Sequence, residues 1–488
     1  MIPFGPFAPD IASHTLGASD LAEGVIPVGT SDYGPMPSPV VASDALPSKP
    51  IGAVMLQTPA GAFTVMAATA SHIYRLNTAT ALWGWDQITT SSLGLNNTEY
   101  ISFTPFVDKV IAFNGGMTPK IADITSGNAT DLGGSPPTAA YGMPFADRVW
   151  AMKLDNSPNE VRWSGRDSED FWTVGRDGAD YQAFRTGGSV TGGLPAGEGA
   201  FIFQQRGIQY AVRAGATLLF AFKKVVEPTG AIEHASLVQG PASGFFLAES
   251  GFYAAMPGGG VQNVGAERVN RWFMREQVDA SKLWAVQGAY DEVNDIVFWR
   301  YPTNGWASDD YTPRMIGFHP PSGRWVDMPV NLSYVFSSVS PGYTLDSSVF
   351  SNIDTMTESL DSRRWLGGRP FLAGFNENFE LVTFTGLNME ATLQTADVQL
   401  NPDGRSFVRG FRPKIEGTNA WLGRVSTQNT PTDTRTWRDE VTPSSRTGLA
   451  TTRANGRYHR FQVRIPANEN WSVASGIEIP EHARTGQN

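Results

Sequence analysis

The sequence predicts an all-β chain: a β-propeller-like repeat domain of six or seven blades, with an extended N-terminal arm and a C-terminal β-sandwich domain. Three observations predict it. The phrase Pro105-Phe106-Val107-Asp108-Lys109-Val110 returns 39 residues later as Pro144-Phe145-Ala146-Asp147-Arg148-Val149, and a period near forty is that of one four-stranded propeller blade. Short apolar runs of strand length follow one another with glycines between them, whereas helical spacing is confined to one stretch. Glycine (51) and proline (33) are abundant without any short period, which reads as turns between many short strands rather than as collagen or disorder.

Residues 1–48 carry Pro3, Pro6, Pro9, Pro27, Pro35, Pro37, Pro39 and Pro47 with little periodicity. Proline removes a backbone donor, so this segment is expected as an extended arm or edge strand. The propeller-like domain is assigned to residues 49–384. Its strands are expected at Ala53 to Gln57, Phe63 to Ala67 and His72 to Leu76, then at the two repeats, which lead into Ile111-Ala112-Phe113 and Trp150-Ala151-Met152. Hairpins with a glycine at the turn follow at 200–212 around Gly207 and at 244–254 around Gly251. A further unit runs Trp284 to Gln287, turns at Asp291 to Asp295 and returns as Ile296 to Trp299, with a sequel at Met315 to Phe318 and Ser322 to Trp325. The single helical signal is Ala266 to Glu276, where Val269, Trp272 and Phe273 fall on one face. In residues 385–488 the texture becomes alternating, at Leu393, Ala396, Val398 and Leu400 and at Tyr458 to Ile465, as in antiparallel strands solvated on one side.

An apolar share of 41% in 488 residues is ample for a substantial core. The N-terminus shows no basic start followed by an apolar run, so no secretory signal is expected. The apolar run Ala216 to Phe222 is too short for a membrane span. The absence of cysteine excludes disulfides, thiolate nucleophiles and zinc-thiolate sites. Net charge is −10, but Ala391 to Asn488 holds 13 Lys+Arg against 9 Asp+Glu, so the basic excess belongs to the C-terminal part and the rest is acidic. An acidic body does not suit duplex binding, which relies on neutralising phosphates.

Five phrases, in this order, resemble the tail nozzle (tail hub) proteins of short-tailed bacteriophages. They are Phe7-Ala8-Pro9-Asp10; Gly24-Val25-Ile26-Pro27 with Tyr33-Gly34-Pro35-Met36-Pro37; Val161-Arg162-Trp163-Ser164-Gly165 through Phe171-Trp172; Gly251-Phe252-Tyr253; and Val269-Asn270-Arg271-Trp272-Phe273. Gly456 to Ile465, Trp471 and Ser475-Gly476-Ile477 are similar to closing strands of such proteins. The resemblance implies a non-enzymatic structural subunit of the virion tail that assembles as a ring of six copies and forms the genome exit channel. Its implied partners are further copies of itself, a tail adaptor protein, tail fibres or spikes, and a plug or needle. Genomic DNA would pass through the channel without sequence-specific binding.

No catalytic, cofactor or metal residues are assigned. His14, His72, His234, His319, His459 and His482 lie far apart with no His-Glu-x-x-His pattern, and neither a Gly-x-Ser-x-Gly elbow nor a phosphate loop occurs. Asp167, Glu169 and Asp170 form the acidic group that would serve an alternative reading, a propeller that binds or cleaves polysaccharide, because glycosidases use paired carboxylates and calcium prefers oxygen ligands. A polar turn between strands explains the same residues. Arg405, Arg409, Arg412, Lys414 and Arg424 are the candidate interface, read as a ring contact against the acidic body of a neighbouring copy. The tryptophans sit among apolar neighbours, as core or subunit contacts.

Overall fold

The computed structural model describes residues 1–12, 15, 17–58, 63–79, 82–215, 219–339, 370–402 and 404–485. His14 and the first three residues of the Ala216 to Phe222 run lie outside them. The repeated phrase is the turn between the first two strands of two consecutive blades. Ser102–Phe106 pairs with Lys109–Phe113, and Ala139–Pro144 pairs with Val149–Leu154. Both turns reverse through left-handed residues, Val107 (φ 57°) in the first and Ala146 and Asp147 (φ 58° and 60°) in the second.

Six blades are free-standing four-stranded antiparallel sheets, with strands within residues 50–87, 102–131, 139–183, 190–226 and 238–263, and a closing blade built from 334–339, 370–388 and 37–45. Between the fifth and the closing blade stands a linking unit of four strands, residues 287–332, which continues into a nine-stranded sheet. The innermost strands, Pro50–Gln57, Ser102–Phe106, Ala139–Pro144, Val190–Ala196, Val238–Gln239, Gln287–Asp291 and Tyr334–Val339, each touch the next, and the last touches the first. The result is a closed propeller.

Blades pack through apolar faces, with Phe203 of the fourth against Phe246 of the fifth (4.9 Å between ring centroids). Gly142, on the innermost strand of the third blade, faces the second blade closely. A Cβ on Gly142 would lie 2.3 Å from the Phe113 ring of the preceding blade, so a side chain there would force the two sheets apart.

The arm does not stand free. Pro37–Ala45 is the outer strand of the closing blade, paired with Glu380–Asn388. Ala22–Glu23 lies between Arg324–Leu332 and Ala391–Gln394 and joins the linking unit to the C-terminal strands. Ile2–Pro3 and Asp32–Pro35 both pair with the long strand Val473–Thr485. The C-terminal strands therefore share both of their sheets with arm residues, and Phe411 of one sheet meets Phe461 of the other edge-to-face at 5.1 Å. Boundaries at residues 48 and 384 cut through continuous hydrogen-bonded sheet.

Two ion-pair groups flank the inserted Ala22–Glu23. Arg314 is shared by Glu23 and the buried Asp327, and the buried Arg460 is shared by Asp20 and Asp397, the latter also holding Arg435 at 2.7 Å. These pairs explain a departure from the sequence reading. Tyr458–Ile465 alternates in sequence but is buried on both faces from His459 to Val463, because carboxylates of the arm and of the 395–400 segment cover its polar side. That segment is not a regular strand, and Ala391–Gln394 ends before it. Trp284 lies on a 3-10 turn, Ala280–Ala285, and the strand expected there starts at Gln287.

The helical signal becomes a short helical turn, Asn270–Trp272, continued by Phe273–Gln277. It has no cap of its own. Asp10 supplies one, its two carboxylate oxygens accepting the Arg271 and Trp272 amides at 2.8 and 2.7 Å, while Phe7 meets Trp272 edge-to-face at 5.2 Å. Asn270 Oδ1 accepts the Phe252 amide at 3.1 Å, and Phe252 packs on Phe273 at 4.8 Å.

Candidate functional site

Connections from the fourth strand of one blade to the first of the next, and from second strands to third strands, gather on one face of the propeller. On that face lies a cavity of about 410 Å³ lined by Glu99, Tyr100, Tyr141, Lys153, Asp155, Glu233, His234 and Trp284 among others. A second cavity of about 390 Å³ shares Tyr100 and His234 and runs along the bore between the innermost strands. Both volumes lie in the range of small-ligand sites.

The lining is built by irregular backbone. Lys153 has φ 55° at a β-bulge in Val149–Leu154, a conformation a non-glycine residue adopts only when its surroundings impose it. The 3-10 turn His234–Ser236 crosses from the fourth blade to the fifth and lays the His234 imidazole on Tyr141, with ring centroids 4.3 Å apart. Lys153 Nζ stands 5.5 Å from the centre of the same Tyr141 ring. Tyr100 is fixed from below by Arg300, whose Nη2 donates to the phenol oxygen at 2.8 Å while Nε donates to Gln287 Oε1 at 2.8 Å. Lys49 Nζ sits 5.0 Å above the Trp284 ring.

Burial governs the electrostatics here. Desolvation, helped by the Lys153 charge, pulls the His234 imidazole down to about 4, so it is neutral at physiological pH, and its Nδ1 is buried without a hydrogen-bond partner. Desolvation also raises the Glu233 carboxyl, against the opposing pull of Lys153. The Tyr141 phenol is pushed up by burial, with Glu233 and Glu99 adding to it. Lys49 is lowered to about 8 by burial and by the Arg300 charge.

The acidic group lies elsewhere. Asp167, Glu169 and Asp170 occupy the connection between the third and fourth strands of the third blade. Glu169 pairs with Lys109 of the second blade at 2.6 Å, and its carbonyl accepts the Trp172 indole at 2.8 Å. Asp170 accepts the Ser168 hydroxyl at 2.7 Å, and Asp167 is exposed with φ 53°. No group of three metal-capable side chains occurs among the described residues.

Of the basic residues, Arg405, Arg409, Arg412 and Lys414 share the strand Arg405–Glu416, the last three exposed. Arg412 pairs with Glu478 at 3.0 Å. Arg424 lies in the other sheet, its Nε donating to Gln462 at 2.9 Å and its guanidinium 4.6 Å above Trp437. The structure thus brings four of the five together. The tryptophans follow the core reading at Trp83, Trp150, Trp163, Trp172 and Trp299, all buried. No helix among the described residues is long and apolar enough to cross a membrane.

The mouth cavity was not legible in the sequence. Its residues come from five separate connections and from strand ends beside them, and nothing local marks them.

No protein-family model and no curated protein matches the chain. Among solved structures it is similar to a fungal alcohol oxidase in complex with copper, at 10% identity over 89% of this chain and 93% of that one, with a TM-score of 0.41. It is also similar to PorZ, a bacterial surface component of the type-IX secretion system of Porphyromonas gingivalis, at 10% identity over 76% of this chain and 44% of that one, with a TM-score of 0.37. Neither likeness carries a functional argument.

Proposed function

We propose that this protein is a non-enzymatic, ring-forming subunit of a bacteriophage tail nozzle, which forms the genome exit channel with further copies of itself and docks adaptor, fibre or spike proteins. The observation that carries the reading is where the family-like phrases fall. Three of the five, around Phe7–Asp10, Gly251–Tyr253 and Val269–Phe273, meet in one joint through Asp10, Phe252, Asn270 and Trp272. A fourth, Val25–Val28 with Asp32–Pro35, forms a hairpin stitched onto Val473–Thr485. What the resemblance marks in this chain is joinery, which favours selection on shape.

The cavities at the mouth and along the bore of one propeller, about 410 and 390 Å³, are of small-ligand size, so an exit channel would run between copies and not through a single chain. Glu169 is engaged by Lys109, which gives the polysaccharide alternative no support from the acidic group. Electron microscopy of the purified chain, alone and with its tail neighbours, tests the proposal. Closed rings, with six copies expected, support it; a particle that stays monomeric in both settings overturns it.

A further inference from the structure

The geometry points to the mouth cavity as a receptor for an organic cation, an ammonium or guanidinium group presented by the Lys or Arg side chain of a partner or by a free polyamine. This inference is independent of the tail reading.

The cavity gathers three carboxylates, Glu99, Asp155 and Glu233, against one ammonium, Lys153. Among the described residues none of the three carboxylates lies within ion-pair distance of a cation. His234 adds no positive charge, being neutral. Glu233 is the group that matters most. It sits half-buried at the start of the 3-10 turn His234–Ser236, where a carboxylate has lost part of its hydration without gaining a partner, and an arriving cation would offset that loss.

Other ligand classes fit less well. An anion would meet three carboxylates against one ammonium among the lining residues, Arg300 and Lys49 standing behind the rings of Tyr100 and Trp284. A metal ion needs several ligating groups converging on one point, and no such group exists among the described residues. A sugar needs a free aromatic face, but Tyr141 already carries His234 at 4.3 Å and Lys153 at 5.5 Å, and Trp284 carries Lys49 at 5.0 Å. A flexible cationic group needs only the carboxylates and the space between them.

Isothermal titration of the full chain with N-acetyl-arginine amide and, separately, with spermidine tests this. One saturable site for at least one probe is expected. Glu233→Gln should weaken it about fivefold or more, and Lys153→Gln, which removes the competing ammonium, should tighten it severalfold. Should Glu233→Gln not fold, the exposed Asp155→Asn serves in its place with the same sign. Binding of the arginine probe alone identifies a side-chain receptor, and binding of both identifies a general cation site. Absence of saturable binding by either probe, or affinities unmoved by the carboxylate and lysine variants, overturns the inference.

Discussion

Asp10 and Trp272 stand 262 residues apart in the chain, yet the Asp10 carboxylate accepts the Trp272 amide at 2.7 Å and caps a helical turn that has no capping side chain of its own. A first-turn amide left without an acceptor is costly, and removing a cap of this kind typically loses about 0.5–2 kcal/mol. Asp10→Ala is expected to lower stability by that amount in denaturant unfolding, and Asp10→Asn, which retains one acceptor, by less. Equal loss for both variants would count against the capping role.

Ser43 ties the closing strand to two blades. Its Oγ accepts the Leu381 amide and the Trp85 indole, each at 3.1 Å, and donates to the Asp44 carbonyl at 2.7 Å. Ser43→Ala leaves a buried amide without its acceptor, so a loss of about 1–3 kcal/mol is expected. Protease cleavage within the arm should rise in parallel, because the strand Pro37–Ala45 is held through this residue.

The acidic connection in the third blade gives a contrast of two substitutions. The Lys109–Glu169 pair is partly exposed, at 37% and 22% for the two side chains, so Glu169→Gln is expected to cost less than about 1 kcal/mol. Gly134 has φ 75°, and a Cβ there would fall 1.5 Å from the Asp170 carbonyl oxygen. Gly134→Ala must displace backbone and is expected to cost about 1–3 kcal/mol or more. Thermal melts of the two variants, side by side, check the order.

His234 makes stability depend on pH in a defined direction. Its folded-state value is held near 4, below the ordinary 6.5, so the unfolded chain binds the proton more readily than the folded one. The contribution is fully present above about pH 6.5 and is lost as pH falls toward 4, by up to about 3 kcal/mol. His234→Gln should flatten that part of the stability profile relative to the parent chain. An unchanged slope between pH 6.5 and 4 would contradict the assignment.

The blades were legible because a propeller writes its period into the chain. The phrase at 105–110 and 144–149 marks equivalent turns, and the hairpins around Gly207 and Gly251 stand where their alternation places them. The C-terminal part was less legible. Tyr458–Ile465 carries the pattern of a half-solvated strand, but Arg460 is buried because Asp20 and Asp397 neutralise it, and local alternation cannot report a partner 440 residues away. The mouth cavity was invisible for the same reason. Lys153, Glu233 and Trp284 belong to a strand end and two separate connections, and only ring closure brings them together.

Threading the first segment into the last-made sheets has a consequence for biosynthesis. Pro37–Ala45 emerges from the ribosome long before Glu380–Asn388, the strand it pairs with in the closing blade, and Ile2 must await Ile477. Blades can form singly as they appear, but the circle cannot lock until Glu380–Asn388 has been made. The nascent polypeptide therefore carries unsatisfied strand edges until those partners emerge, a long exposure in which chaperones, or a second nascent copy, can claim them.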